Sequence, residues 1–202
     1  MRVNLQKGQK VNLKKGDGQA LVRIRVGLGW DPVKQGKKGL FGSIFGGGGT
    51  EDIDCDASVF VCHDGHLTSV DDIVYFGNLV HHSHAIRHTG DNLTGDGEGD
   101  DEQILVDLSA VPADYDKLVF VVNIYDCVSR KQDFGMIENA FIRICDERTG
   151  EEFFRYNLTE NYAGMTAMIF GEIYRHNGEW KFSAIGQGTK DPGLRELAKR
   201  YQ

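Results

Sequence analysis

Apolar and polar side chains alternate through most of this 202-residue chain, and that period of two limits what it can fold into. In ALVRIRVGL (20–28), Val22, Ile24 and Val26 fall on one face and Arg23 and Arg25 on the other, the pattern of a half-solvated antiparallel strand. IDCDASVFVC (53–62) reads as a second strand, with an Asp64-Gly65 hairpin signal after it. DDIVYFG, HSHAIRH and EQILVDL read as short strands, and the very apolar KLVFVVNIYD (117–126) as a central one. Two further hairpins are predicted to turn at Arg148–Gly150 and at Asn177-Gly178. Roughly nine or ten strands at this spacing predict an all-β fold, a two-sheet antiparallel β-sandwich. One short C-terminal helix is expected in DPGLRELAKRYQ. Asp191 is placed to cap it, Pro192 sits at its first position, and Leu194, Leu197, Ala198 and Tyr201 share one face. Residues 1–202 are read as one domain.

Hydrophobic residues make up 40% of the chain, enough for a substantial core. The start, MRVNLQKGQKVNL, lacks the apolar centre of a signal peptide, and no run of 18 apolar residues suggests a transmembrane segment. A cytoplasmic location is the expectation. Cys55, Cys62, Cys127 and Cys145 show no CxxC spacing, so reduced thiols are expected. The net charge is −7, and no basic stripe is present for binding nucleic acid.

KQGKKGLFGSIFGGGGTE (34–51) breaks the alternation. It reads as a flexible Gly/Lys-rich insertion between two strands, with Leu40, Phe41, Ile44 and Phe45 as an apolar island for a protein partner or a membrane surface.

The acidity is concentrated in GDNLTGDGEGDDE (90–102). Asp91, Asp96, Glu98, Asp100, Asp101 and Glu102 carry −6 of the −7, with no lysine or arginine among them. Glycines at 90, 95, 97 and 99 let the backbone curl and expose its carbonyls. Carboxylates, with Asn92 and Thr94 as neutral oxygens, suit calcium, which takes six to eight oxygen ligands at flexible distances. Zinc would call for His or Cys, which the loop lacks. An EF-hand is excluded: with Asp91 at position 1, Leu93 falls at position 3, Gly95 at position 5 and Asp96 where glycine is required. Asp52, Asp54 and Asp56 alternate, and Asp31 in GWDP with Asp54 and Asp56 is expected to converge on the loop, as acidic loops do at one end of C2-type sandwiches. That many carboxylates would serve two calcium ions sharing ligands.

GWD, DIDCDASVF, GDNLTGDGEGDDE, NAFIRI and YRHNGEWKFSAIGQG together resemble the TerD family of bacterial tellurium-resistance and general stress proteins. The resemblance runs over the whole chain except 34–51. It implies a cytoplasmic, calcium-binding β-sandwich linked to resistance to tellurite and other stresses. It also implies that Asp91, Asn92, Asp100, Asp101 and Glu102 belong to the ion site. The 34–51 stretch and GTKDPGL depart from the family's usual pattern.

HHSHAIRH carries His81, His82, His84 and His88. On a strand the last three would share a face, facing solvent or capping the acidic loop, where nearby carboxylates favour the protonated ring. A soft-metal or tellurium-oxyanion site is the sharper alternative. For catalysis the sequence offers no GxSxG elbow, and no general acid near Asp100 and Asp101. Two function classes follow. One is a calcium-dependent interaction module. The alternative is a metal-dependent enzyme acting on an oxyanion or phosphoester. The first leads, because these carboxylates leave few coordination positions open for substrate.

Overall fold

A computed structural model describes residues 2–33, 53–90 and 99–202. Among them, two six-stranded sheets stack face to face. The strands are β1 (Val3–Leu5), β2 (Lys10–Asn12), β3 (Arg23–Pro32), β4 (Cys55–Cys62), β5 (Ile73–Val74), β6 (Ile86–His88), β7 (Glu102–Asp107), β8 (Lys117–Ile124), β9 (Ile137–Asp146), β10 (Glu152–Asn157), β11 (Ala167–His176) and β12 (Glu179–Thr189). One sheet runs β1-β10-β9-β3-β7-β6 and the other β2-β12-β11-β8-β4-β5. Every pairing is antiparallel except β1 with β10. The expected antiparallel sandwich is what forms.

The alternation explains the layers. Ile24, Val26 and Leu28 of β3, Ile104 and Val106 of β7, and Ile142 and Ile144 of β9 point inward. They meet Val59, Val61, Leu118, Phe120, Val122, Met168 and Phe170 from the other sheet. Arg23 and Arg25 take the outer face, as predicted. Val22 does not join the inward row: it precedes the strand and is 47% exposed, and Leu28 completes the row instead. β8 is central, between β11 and β4.

β4 and most of β8 are buried on both faces, because the C-terminal segment covers the outside of their sheet. α2 (Leu194–Ala198) and the 3-10 turn Lys199–Tyr201 pack Leu197 and Ala198 over Phe60, Cys62, Val119 and Val121. The Tyr201 ring meets Phe60 edge-on at 5.5 Å. Asp191 is not the cap of this helix. Gly193 holds that position without a side-chain hydrogen bond, and Asp191 Oδ2 instead accepts from Arg200 Nε at 2.5 Å. Pro192 sets the entry two residues early.

The three predicted turns form. Asp64-Gly65 and Asn177-Gly178 both adopt positive φ at both residues, which asparagine, aspartate and glycine tolerate best. Gly150 closes the third turn at φ 73°. All four cysteines are free and buried. No helix of the described residues is long and apolar enough to cross a membrane. The apolar island Leu40, Phe41, Ile44 and Phe45 lies outside the described residues.

Candidate metal site

The C-terminal ends of β3 and β8 and the N-terminal ends of β4, β7 and β9 meet at one rim of the sandwich, as the registers Leu28↔Glu102, Pro32↔Ile137 and Cys55↔Ile124 require. The predicted ligands Asp31, Asp54, Asp56, Asp100, Asp101 and Glu102 all lie at or beside it. Asp91, Asn92, Gly95, Asp96 and Glu98 lie outside the described residues, as does Asp52.

Each acid is positioned by a different local cause. Glu102 is an inward position of β7, so its carboxylate enters the space between the sheets, where it is 1% exposed. There Glu102 Oε2 accepts the backbone N–H of Ala57 in β4. His88 Nδ1 accepts the Gly90 N–H at 3.1 Å, which leaves the ring proton on Nε2, 3.5 Å from Glu102 Oε2. Asp101, one residue earlier, sits on the rim and accepts the Trp30 N–H at 2.7 Å. Asp31 is exposed, and Asn139 Nδ2 donates to its Oδ2 at 2.8 Å. Asp54 stands just before β4, 4.0 Å from the Arg130 guanidinium at the end of α1 (Cys127–Arg130).

Two predicted ligands turn to the outer faces instead. Asp100 lies over Gly27, where any β-carbon would collide with its carboxylate. Its side chain is fully buried, with Arg143 Nε donating at 2.6 Å and the Arg25 guanidinium 4.0 Å away as a looser ion pair. Arg143 is held strongly protonated, chiefly by that bond. Gly27 in RVGLGW is thus a seat for Asp100, a role that its place in a strand does not announce. Asp56 alternates outward from Cys55 and Ala57, beside Asn123 Nδ2 at 3.5 Å, in a cleft shared with Leu194.

The rim therefore gathers Asp31, Asp101, Glu102 and Asp54. Their charges overlap. Cys55, wholly buried among them, has its thiol pushed well up by burial and then by Asp56, Asp54, Glu102 and Asp101. Asp101 is pushed up to about 6 by burial, against the Trp30 N–H, with Asp31, Asp100 and Glu102 adding to the rise. Carboxylates whose charges oppose ionisation of one member are hard oxygen donors, the type of group a divalent cation neutralises.

A sequence model of the TerD domain matches residues 1–201. The chain belongs to the TerD family. It is 56% identical over 201 residues to stress response protein SCP2 of Bacillus subtilis (strain 168), an alignment that takes in the whole of both chains. It is 42% identical over 202 residues to tellurium resistance protein TerD of Serratia marcescens, covering all of this chain and 97% of that one. General stress protein 16U of Bacillus subtilis (strain 168) is 47% identical over 202 residues, with the same coverage. The fold matches the crystal structure of the unknown function protein SAV2460, with a TM-score of 0.67 at 20% identity over 88% of this chain and 95% of that one. A Streptomyces coelicolor A3(2) homologue of telluride resistance protein (TerD) gives a TM-score of 0.59 at 18% identity over 84% of this chain and 90% of that one.

The histidine-rich stretch departs from its reading as a strand. Only Ile86–His88 forms β6, and His81–His84 make a turn with His84 at φ 59°. His81 and His88 are buried. Burial lowers the His81 pKa below its usual range, opposite to the rise expected from nearby carboxylates. Sequence reasoning also passed over Arg143, Asn139 and the Ala57 N–H. Each is ordinary in sequence and gains its role from strand register.

Proposed function

We propose that this TerD-family protein binds calcium at the rim of its sandwich and acts, in the cytoplasm, as a calcium-dependent interaction module in resistance to tellurite and related stress. The observation that carries the reading is the convergence of Asp31, Asp54, Asp101 and Glu102 from three strand ends onto one rim. Hard oxygen donors dominate there. Asp91, Asn92, Gly95, Asp96 and Glu98, outside the described residues, would complete the ligand set, and two ions would share it.

Asp101 and Glu102 would hold the ion, with Asp31 and Asp54 assisting. Bound calcium supplies positive charge that neutralises the rim. The chain's own part is to fix the oxygens: Trp30 N–H orients Asp101, and Ala57 N–H and His88 orient Glu102. Neutralising the rim would let a protein or membrane surface approach without charge repulsion. The names of the relatives, stress response and tellurium resistance, support the physiological setting.

Calorimetric titration of chelator-treated protein tests the reading. Calcium should bind more tightly than magnesium, and Asp101→Asn should weaken it. Equal affinity for the two ions, or an unchanged titration in Asp101→Asn, would refute it. Affinity capture from tellurite-stressed cells, with calcium and with chelator, tests the module: the same partners in both conditions would remove the calcium switch.

A further inference from the structure

Away from the acidic rim, the edges of the two sheets come together at a second cluster. Asp72 ends the 3-10 turn Val70–Asp72 before β5, an edge strand of one sheet. His81 and His82 lie in the connection from β5 to β6, an edge strand of the other. Tyr115 comes from the approach to β8. One ligand atom each from Asp72, His81 and His82 lies within 4.8 Å of the others.

The distances suit a first-row transition metal. His81 Nε2 is 3.1 Å and His82 Nδ1 3.9 Å from Asp72 Oδ1. Zinc binds His nitrogen and carboxylate oxygen at about 2.0–2.2 Å, which sets neighbouring tetrahedral ligands roughly 3.4 Å apart. Two nitrogens and one oxygen also favour this class over calcium.

The surrounding hydrogen bonds hold both rings against Asp72. Tyr115 donates its hydroxyl hydrogen to Asp72 Oδ1 at 2.8 Å. Its oxygen can then accept only from His82 Nε2, 3.3 Å away, which leaves the His82 Nδ1 lone pair on the Asp72 side. Ser83 Oγ lies 2.7 Å from His81 Nδ1, and the Ser83 N–H donates to the same nitrogen at 3.3 Å, so in the metal-free protein the ring proton sits on Nε2, toward Asp72. Metal binding at Nε2 would move that proton to Nδ1, where Ser83 Oγ accepts it and the longer contact from the Ser83 N–H is given up. Outer partners of this kind fix the tautomer and orientation of metal-binding histidines.

Access is built in. Asp72 and His81 are nearly inaccessible, at 4% and 0% side-chain exposure, while His82 is 60% exposed and forms the outer wall.

We propose that Asp72, His81 and His82 form a binding site for a divalent first-row transition metal such as zinc, separate from the acidic rim, with Tyr115 and Ser83 as positioning residues. The ion would tie the edge of one sheet to the edge of the other.

Zinc titrated into chelator-treated full-length protein, followed by calorimetry, tests this. One zinc per chain is expected at micromolar affinity or better, and cobalt should give the visible absorption of a four-coordinate N/O site. His82→Ala, at an exposed position, should keep the metal-free melting temperature and lower zinc affinity tenfold or more. Ser83→Ala should lower it about tenfold. His84→Ala and Asp101→Asn should leave it unchanged. Zinc uptake that persists in His82→Ala, uptake lost in Asp101→Asn, or no uptake at micromolar zinc would each overturn the site. None of these outcomes depends on whether the rim binds calcium.

Discussion

Glu102 at the start of β7 accepts the backbone N–H of Ala57 in β4, so a single carboxylate crosses from one sheet to the other. β5 covers β4 only at Val59 and Phe60, which leaves the Ala57 edge without a strand neighbour among the described residues. Glu102 takes the place of that neighbour. Glu102→Ala should leave a buried donor unsatisfied and cost about 1–3 kcal/mol of stability. Glu102→Gln retains an acceptor oxygen and should cost less. Denaturant unfolding in chelator separates the two, since the calcium contribution is then absent. Equal stability of Glu102→Ala and the parent would remove the inter-sheet role.

Asp100 and Arg143 form the other buried polar anchor of the acidic segment. Removing one partner from a buried ion pair strands the other's charge, a loss of about 3–5 kcal/mol. Arg143→Met should therefore destabilise the fold more than the double substitution Asp100→Asn with Arg143→Met. Gly27→Ala should mimic the loss of Asp100, because its methyl group would occupy the carboxylate's place. A double-mutant cycle by denaturant unfolding measures the coupling. Additive effects would show that the pair is not a unit.

The sandwich was legible because alternation and turn chemistry are local. Ile24 and Val26 point inward, and Asn177-Gly178 turns, for reasons contained in their own short segments. The candidate rim was half legible. Acidic density in 90–102 and Asp31 in GWDP flagged the region, and strand order brought Asp31, Asp101 and Glu102 together. Sequence could not separate Asp100 from Asp101. Neighbouring residues take opposite directions, and only the cross-strand register places Arg143 and the bare face of Gly27 beside Asp100. Asp72 was invisible for the same reason: nothing near it in sequence hints at His81, which reaches it only through the fold. The Asp191 cap failed because Pro192 and Gly193 delay the helix, freeing the carboxylate for Arg200.

Asp101 gives the metal-free protein a defined pH dependence. Its folded-state pKa of about 6 lies above the ordinary 3.8. A raised pKa means that the folded state holds the proton more tightly than the unfolded one. The stabilising effect of protonation is complete below 3.8 and is lost as pH rises through about 6. Asparagine imitates the protonated acid. In chelator, Asp101→Asn should match the parent near pH 4 and be the more stable of the two near pH 7. Melting temperatures across that range check it, with other titrating groups cancelling between the two proteins. A difference that is constant with pH would show that Asp101 titrates normally.

Calcium should reverse that ranking. An ion that binds only the folded state stabilises it by about 2.7 kcal/mol at a hundred times its dissociation constant. For a chain of this size, each kcal/mol moves the melting temperature by about 2–4 °C, so the parent should gain roughly 5–11 °C. The gain should grow with the logarithm of calcium concentration, because it reflects mass action. Ionised Asp101, which destabilises the empty rim, becomes a favourable ligand once the cation is present. Asp101→Asn should then gain much less from calcium, and the parent should become the more stable protein at neutral pH. Differential scanning calorimetry over a calcium series, with magnesium at matched ionic strength, reads both effects. Parallel calcium shifts in the parent and in Asp101→Asn would place the ion elsewhere in the chain. Equal shifts with magnesium would reduce the effect to general charge screening of the acidic rim.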